Sequence, residues 1–370
     1  MRSTTRHLTG IGLAIGVGLS GSGCGAPESA SSSATATTTM AAPTTTDPAA
    51  VGGSSVGPGP YRVEATVPVG PSPRGVALDA GTRRAYVAHY VEGTGRQSVS
   101  VIDTRSNVVT AEIPVGQVFP DKPQAIAVDP TTRLVYLAGG NSAGKVCVID
   151  PDSSAIIATI EVDGDPVAVV VDPARNLVYV ANRFSGTVTA IDTVARKVVA
   201  TIPVPGHPSG LAVDPATLHL WVTNRTGISV IDPAAFTVSA TIRLDDEPAY
   251  IAIDPQSQTA FVTHADAHSV SLIDTANRAP AGSISLGERG MAYAAVVDPA
   301  AHSVYLTGGA FQTVTVIDTR TRAVTAVRTA GVSRADRYGS DTYGVAVDPE
   351  NHHVYVTNSG VDGVEVLAPR

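Results

Sequence analysis

The chain repeats itself. An aspartate set in the phrase AVDP or a variant of it returns at Asp79, Asp129, Asp172, Asp214, Asp254, Asp298 and Asp348, at intervals of 40 to 50 residues. A second phrase, VIDT, VIDP or LIDT, places aspartates at Asp103, Asp150, Asp192, Asp232, Asp274 and Asp318. A period of this length restricts the fold to arrays or closed rings of one supersecondary unit. Each unit reads as four short strands. In the fourth, GLAV precedes the aspartate, LHLWVTN follows it, and GISVI and FTVSATIRL come next. All are β-branched runs bounded by turn residues, and no window sustains a helical period.

Four strands per unit, seven times over, predict an all-β fold: a seven-bladed β-propeller of four-stranded antiparallel blades. The ends of the repeat region test this. The last unit finishes at GVEVLAPR, after its third strand, while VEATVPVG at 63–70 matches VVATIPVP at 198–205. The N-terminal strand is therefore expected to complete the last blade and close the ring, which removes two open sheet edges.

The words of the repeat carry a resemblance as well. VYVAN, WVTN, FVTH and VYVTN, followed by VIDT and ATIPV, resemble the YVTN-type seven-bladed propeller repeats of secreted and surface proteins, across 61–370. The resemblance implies a shape more than an activity. One periplasmic branch of that family is associated with single-stranded DNA, and others are surface-layer proteins.

Ahead of the repeats lie two segments. MRSTTRH and LTGIGLAIGVGL form a basic region and an apolar run too short to span a bilayer as a mature helix. With SGSGC they read as a signal peptide over 1–24. This resembles a bacterial lipoprotein signal, which implies lipidation of Cys24 and anchoring to the outer side of the cytoplasmic membrane. Gly21 stands where that family prefers an aliphatic residue; the alternative is an ordinary secreted protein cut nearby. Residues 25–60 are mostly Ser, Thr, Ala, Pro and Gly, a composition that predicts a disordered tether.

Composition narrows the partners. A net charge of -8 argues against a broad grip on duplex nucleic acid. Two cysteines cannot make a disulfide framework. The repeated aspartates are expected to shape turns rather than catalyse, because Asp before Pro accepts local backbone hydrogen bonds. Cys147 and Trp221 read as packing residues. No G-x-S-x-G, H-E-x-x-H, Walker or CxxC motif occurs, and no cofactor or metal is expected. HADAH at 264–268 offers His-Asp-His spacing, read as a solvated loop in preference to a metal site for want of a third strong ligand.

Blade topology puts the turns after DP and IDT on one face, where their lengths barely change. Irregular segments fall on the other face: 89–97, 116–123 and 331–344, all in blades seven, one and two. Function concentrates on loops held by a rigid scaffold. The channel rim belongs to positions seven and five before each first-strand aspartate: Ser72 and Arg74, Lys122 and Gln124, Asp165 and Val167, His207 and Ser209, Glu247 and Ala249, Met291 and Tyr293, Asp341 and Tyr343. These differ between blades, whereas identical structural roles would ask for identical residues. The candidate ligand-binding set is Arg74, Lys122, Asp165, His207, Glu247, Tyr293, Arg337, Asp341 and Tyr343; the alternative is a water-filled channel with a solvated rim.

The expected function is a monomeric binding or scaffold module, its partner a protein, a cell-wall polymer or a small ligand. Two rivals remain. A lactonase-like hydrolase would need Arg74, His207 and Glu247 as a cluster at the channel mouth. Single-stranded nucleic-acid binding would draw on Tyr293, Tyr338, Tyr343, Arg334 and Arg337.

Overall fold

The structure is a computed structural model that describes residues 59–370 apart from 92, 120–122, 266–267, 288–291, 293, 309–312 and 331–341. The signal segment, Cys24 and most of the tether lie outside the described residues.

Seven four-stranded sheets form the ring, and the described residues contain no helix. Blade three is representative: Pro166–Asp172, Leu177–Asn182, Thr187–Asp192 and Lys197–Pro203, each antiparallel to the next. The first strand of every blade touches the first strands of its two neighbours, so the first strands line the axis. The second strand LVYVAN is buried throughout, whereas the outermost, KVVATIP, is mostly exposed. A strand covered on both faces reads as a continuous apolar run, which is why the inner strands show little alternation.

Blade seven is composite. Its inner three strands are Thr342–Val347, Val354–Asn358 and Gly363–Pro369, and its outer strand is Tyr61–Pro68. Val63 pairs with Leu367 and Val67 with Val364. The carbonyl of Pro60 accepts the Arg370 N–H at 2.9 Å, so the two ends of the propeller body meet. Both lie on the side of the turns that follow DP and IDT.

The aromatic residue of YVTN is buried in every blade: Tyr86, Tyr136, Tyr179, Trp221, Phe261, Tyr305 and Tyr355. Most of these aromatics pack into the next blade. Tyr355 of blade seven lies with Val76, Ala85, Val87 and Ile102 of blade one, and its hydroxyl is 3.2 Å from the Thr104 carbonyl oxygen. Tyr136 packs likewise with Val178 and Val180 of blade three. The apolar core is thus divided among the seams between blades. At the sixth seam, Tyr305 meets Tyr61 edge to face at 5.2 Å, with their hydroxyls hydrogen-bonded.

The threonine of YVTN joins blade to blade. Thr223, Thr307 and Thr357 donate to the first-strand carbonyls of Ala249, Tyr343 and Arg74 in the following blades, at 2.9, 2.8 and 2.7 Å. The asparagine joins second strand to third. Asn182 donates to Thr189 Oγ1 at 2.8 Å and Asn224 to Ser229 Oγ at 3.1 Å. Histidine does the same work elsewhere: His89 Nε2 is 3.0 Å from Ser100 Oγ, and His264 Nε2 is 2.8 Å from Ser271 Oγ. The reading of HADAH as a solvated loop is therefore corrected at its first residue, since His264 is a buried strand fastener.

The aspartates shape turns, as expected. Asp129 accepts the Thr131 N–H at 2.8 Å, and Asp192 accepts the N–H groups of Val194 and Ala195 at 2.9 and 2.6 Å. Four residues after each DP-type aspartate the backbone is left-handed, at Arg83, Arg133, Asn176, Leu218, Gln258, His302 and His352. The IDT turns repeat this at Asn107, Ser154, Arg196, Phe236, Arg278 and Arg322. None of these is glycine, the residue that adopts this conformation at least cost. Cys147 is buried, which pushes its thiol up to about 11.

Candidate functional site

On the face opposite these turns, two of the three segments expected to be irregular can be followed, and they are more ordered than expected; the third, 331–344, lies almost wholly outside the described residues. Residues 89–97 are largely strand: Tyr90 pairs with Gln97 and Val91 with Arg96, so the second and third strands of blade one project as a hairpin. The crossover into blade two docks on it. Gln97 donates from Nε2 to the Phe119 carbonyl at 2.9 Å and accepts the Phe119 N–H at 3.2 Å. Gln117 Nε2 donates to the Thr94 carbonyl at 2.7 Å. Phe119 is buried beneath this clamp. Two of the three irregular segments thus form one ridge.

Of the candidate ligand-binding residues, Lys122, Tyr293, Arg337 and Asp341 lie outside the described residues. The rest separate into three places. Asp165 is buried in blade three, where its carboxylate accepts Arg183 Nε at 2.7 Å and Gln124 Nε2 at 3.0 Å. His207, exposed in blade four, has Nδ1 2.9 Å from the Arg183 carbonyl oxygen. Glu247 accepts Arg225 Nε at 3.1 Å across a largely exposed pair. No contact joins Arg74 to either His207 or Glu247 among the described residues.

The differing residues at these positions share more than the sequence suggests. Ser72, Asp165 and His207 all hold left-handed backbone, with φ of 50°, 59° and 60°. They turn the chain into the first strand, so one structural role is filled by three residue types. Asn and Asp tolerate this region better than most; the other two hold it through the surrounding hydrogen bonds.

Arg74 and Tyr343 come together at the seam between blades one and seven. The Arg74 guanidinium carbon lies 4.3 Å from the centroid of the Tyr343 ring and 5.5 Å from that of Tyr90, and Nη2 donates to the Tyr90 hydroxyl at 3.1 Å. Tyr90 escaped the sequence reading because it stands in the hairpin rather than at a rim position. Arg183 escaped it too, although an arginine follows the asparagine in both VYVANR and WVTNR.

A third missed residue is Glu365. It occupies the third-strand position held by Ser100, Cys147, Thr189, Ser229, Ser271 and Thr315 in the other blades. It is fully buried, accepts the Ala330 N–H at 2.6 Å and takes a hydrogen bond from Asn358 Nδ2 at 2.8 Å. Burial raises its carboxyl above the ordinary range. It fastens the end of blade six to the second and third strands of blade seven. Buried charge at His89 and His264 is disfavoured in the opposite sense, and desolvation lowers both imidazoles.

Among the described residues, no group of three or more His, Cys, Asp or Glu side chains is arranged to hold a metal ion. No protein-family model matches the chain, and no curated protein is significantly similar to it. The fold is a seven-bladed β-propeller of four-stranded antiparallel blades.

Proposed function

We propose that this chain is an extracytoplasmic propeller of the YVTN-repeat type, lipid-anchored through Cys24, that serves as a binding or scaffold module. The observation that carries the reading is the asymmetry of the two faces. One face is built from near-identical aspartate-capped turns. The other bears a projecting hairpin clamped to a crossover by Gln97, with Arg74 and two tyrosines beside it. Binding residues held on a rigid scaffold tend to occupy such irregular loops. The partner is a protein, a cell-wall polymer or a small ligand.

The hydrolytic reading draws less support. It needs Arg74, His207 and Glu247 to act together, and Glu247 is engaged by Arg225 while Arg74 sits against Tyr90 and Tyr343.

Two measurements test the proposal. Cys24→Ala should shift the protein from the detergent phase to the aqueous phase with the propeller folded, since a lipid chain supplies membrane affinity that a polar tether lacks. For the face, the hairpin tip 92–95 is trimmed to an Asn-Gly turn, and binding to isolated cell-wall polymer and to envelope proteins is compared with that of Arg196→Ala on the opposite face. Loss is expected for the trimmed hairpin alone. Equal losses would sink the one-face reading.

A further inference from the structure

The Arg74 guanidinium is buried and only partly partnered. Arg74 is 8% exposed. Nη2 bonds the Tyr90 hydroxyl, but among the described residues neither Nε nor Nη1 has a hydrogen-bond partner, and both are closed to bulk water. The three N–H hydrogens on these two nitrogens find no acceptor among the described residues. Among the described residues no carboxylate forms an ion pair with it.

Arg183 makes the comparison. It occupies the same face, is buried to a similar degree, and is neutralised by Asp165 at 2.7 Å. That is the ordinary solution, because a buried charge is costly unless paired and hydrogen-bonded. Arginine has no escape by deprotonation. At Arg74 two tyrosine rings supply attraction to the cation where Arg183 has a carboxylate.

The surroundings are rigid. Thr357 Oγ1 donates to the Arg74 carbonyl at 2.7 Å and accepts the Gly344 N–H at 2.6 Å. A methyl group at Gly344 would lie 2.7 Å from the Arg74 carbonyl oxygen, so the two first strands are in close contact there. The Arg74 backbone is therefore held in place, and its guanidinium rises from it at the irregular-face end of the seam.

We infer that this end of the seam between blades seven and one is a carboxylate-binding site, with Arg74 as the anchor and Tyr90 and Tyr343 as its walls. A guanidinium fork matches a planar carboxylate. One cation neutralises one negative charge, which favours a carboxylate over a dianionic phosphate. Tyr90, half-buried on the hairpin, is the side chain that yields to admit the ligand. The inference rests on the binding-module reading and names the chemistry its ligand must carry at this seam.

The experiment is a calorimetric and thermal-shift titration of the purified propeller with sodium glucuronate, glucose, sodium acetate and sodium phosphate at constant ionic strength. Glucuronate and acetate should give saturable one-site binding, glucose none, and phosphate weaker binding than acetate. Arg74→Gln should weaken half-saturation at least tenfold and melt no lower than wild type, because it removes an unneutralised buried charge. Arg74→Lys should retain part of the binding. Absence of saturation by either carboxylate, equal binding by glucose, or tighter binding of phosphate would overturn the inference. If Arg74→Gln unfolds, Tyr90→Phe, which removes one hydroxyl, must change carboxylate affinity or the inference fails. Polymer or protein binding that survives Arg74→Gln would leave the module reading intact and remove this site from it. Carboxylate binding without any envelope partner would do the reverse.

Discussion

The hydroxyl of Thr357 in blade seven donates to the carbonyl of Arg74 in blade one and accepts the N–H of Gly344 in its own blade. One side-chain atom thus satisfies backbone groups of two adjacent first strands at the seam that closes the ring. Thr357→Val keeps the shape and removes both bonds. Each buried backbone group left unsatisfied costs about 1–3 kcal/mol. A fall in stability of roughly 2–6 kcal/mol is expected by denaturant titration, while Ala88→Thr at the equivalent position of blade one should have a far smaller effect. A neutral Thr357→Val would remove the claim that this hydroxyl joins the blades.

The outer strand of blade seven gives a second prediction. A chain beginning at residue 59 should melt with the full-length protein. A chain beginning at residue 70 loses Tyr61, Val67 and the ladder to Gly363–Pro369. Each lost backbone bond contributes about 0.5–1.5 kcal/mol, and each fully buried Val about 1.5–3 kcal/mol. The sum approaches the stability of a typical domain, roughly 5–15 kcal/mol. Early melting or aggregation is expected for the shorter chain, and identical midpoints would show that the strand is dispensable.

The left-handed turn positions offer stabilising changes. Arg133 and Arg196 are exposed and hold φ of 61° and 54°. An L side chain there costs about 1–2 kcal/mol, part of which glycine recovers. Arg133→Gly and Arg196→Gly should each raise the thermal midpoint, and their effects should add because they lie in different turns. A lowered midpoint for both would mean that the side chains hold the turns in some other way.

Stability should fall on acidification below the ordinary imidazole range. His89 and His264 are pushed down from 6.5 by burial, so the unfolded chain binds more protons than the folded one as pH drops through and below that value. Replacing both by Asn, which fills the same position in blades three, four and seven, should flatten this part of the pH profile. Glu365 works in the opposite sense. Its raised carboxyl makes stability decline as pH climbs from about the ordinary glutamate value of 4.5 toward the raised one. Melting curves from pH 7.5 down to 5 for the double variant and for Glu365→Gln separate the two effects. Unchanged profiles would place both groups outside the titration.

The blades and the borrowed strand were legible because they are written locally. The DP and IDT aspartates mark turns by short-range hydrogen bonds, and a period repeats the signal in each blade. The fastening histidines were harder to read. His89 and His264 look unlike Asn182 until strand register puts all three opposite a third-strand hydroxyl two residues beyond the paired position. The seam at Arg74 was only half legible. Its neighbours Tyr90 and Tyr343 come from a hairpin and from the far end of the chain, and no repeat carries such a meeting. Nor did the turns announce their left-handed residues, since Arg, Leu, Phe and Gln stand where glycine would have signalled them.

The meeting of Pro60 and Arg370 fixes how the body can be presented. Both ends leave the ring on the side of the capped turns, and the chain before Gly59 must depart from there. If the protein is attached through its N-terminal segment, as proposed, the uniform side is the one nearer the attachment, and the hairpin, the clamped crossover and the Arg74 seam lie on the far side. Attachment and recognition would then occupy opposite faces of one ring, so that neither need obstruct the other.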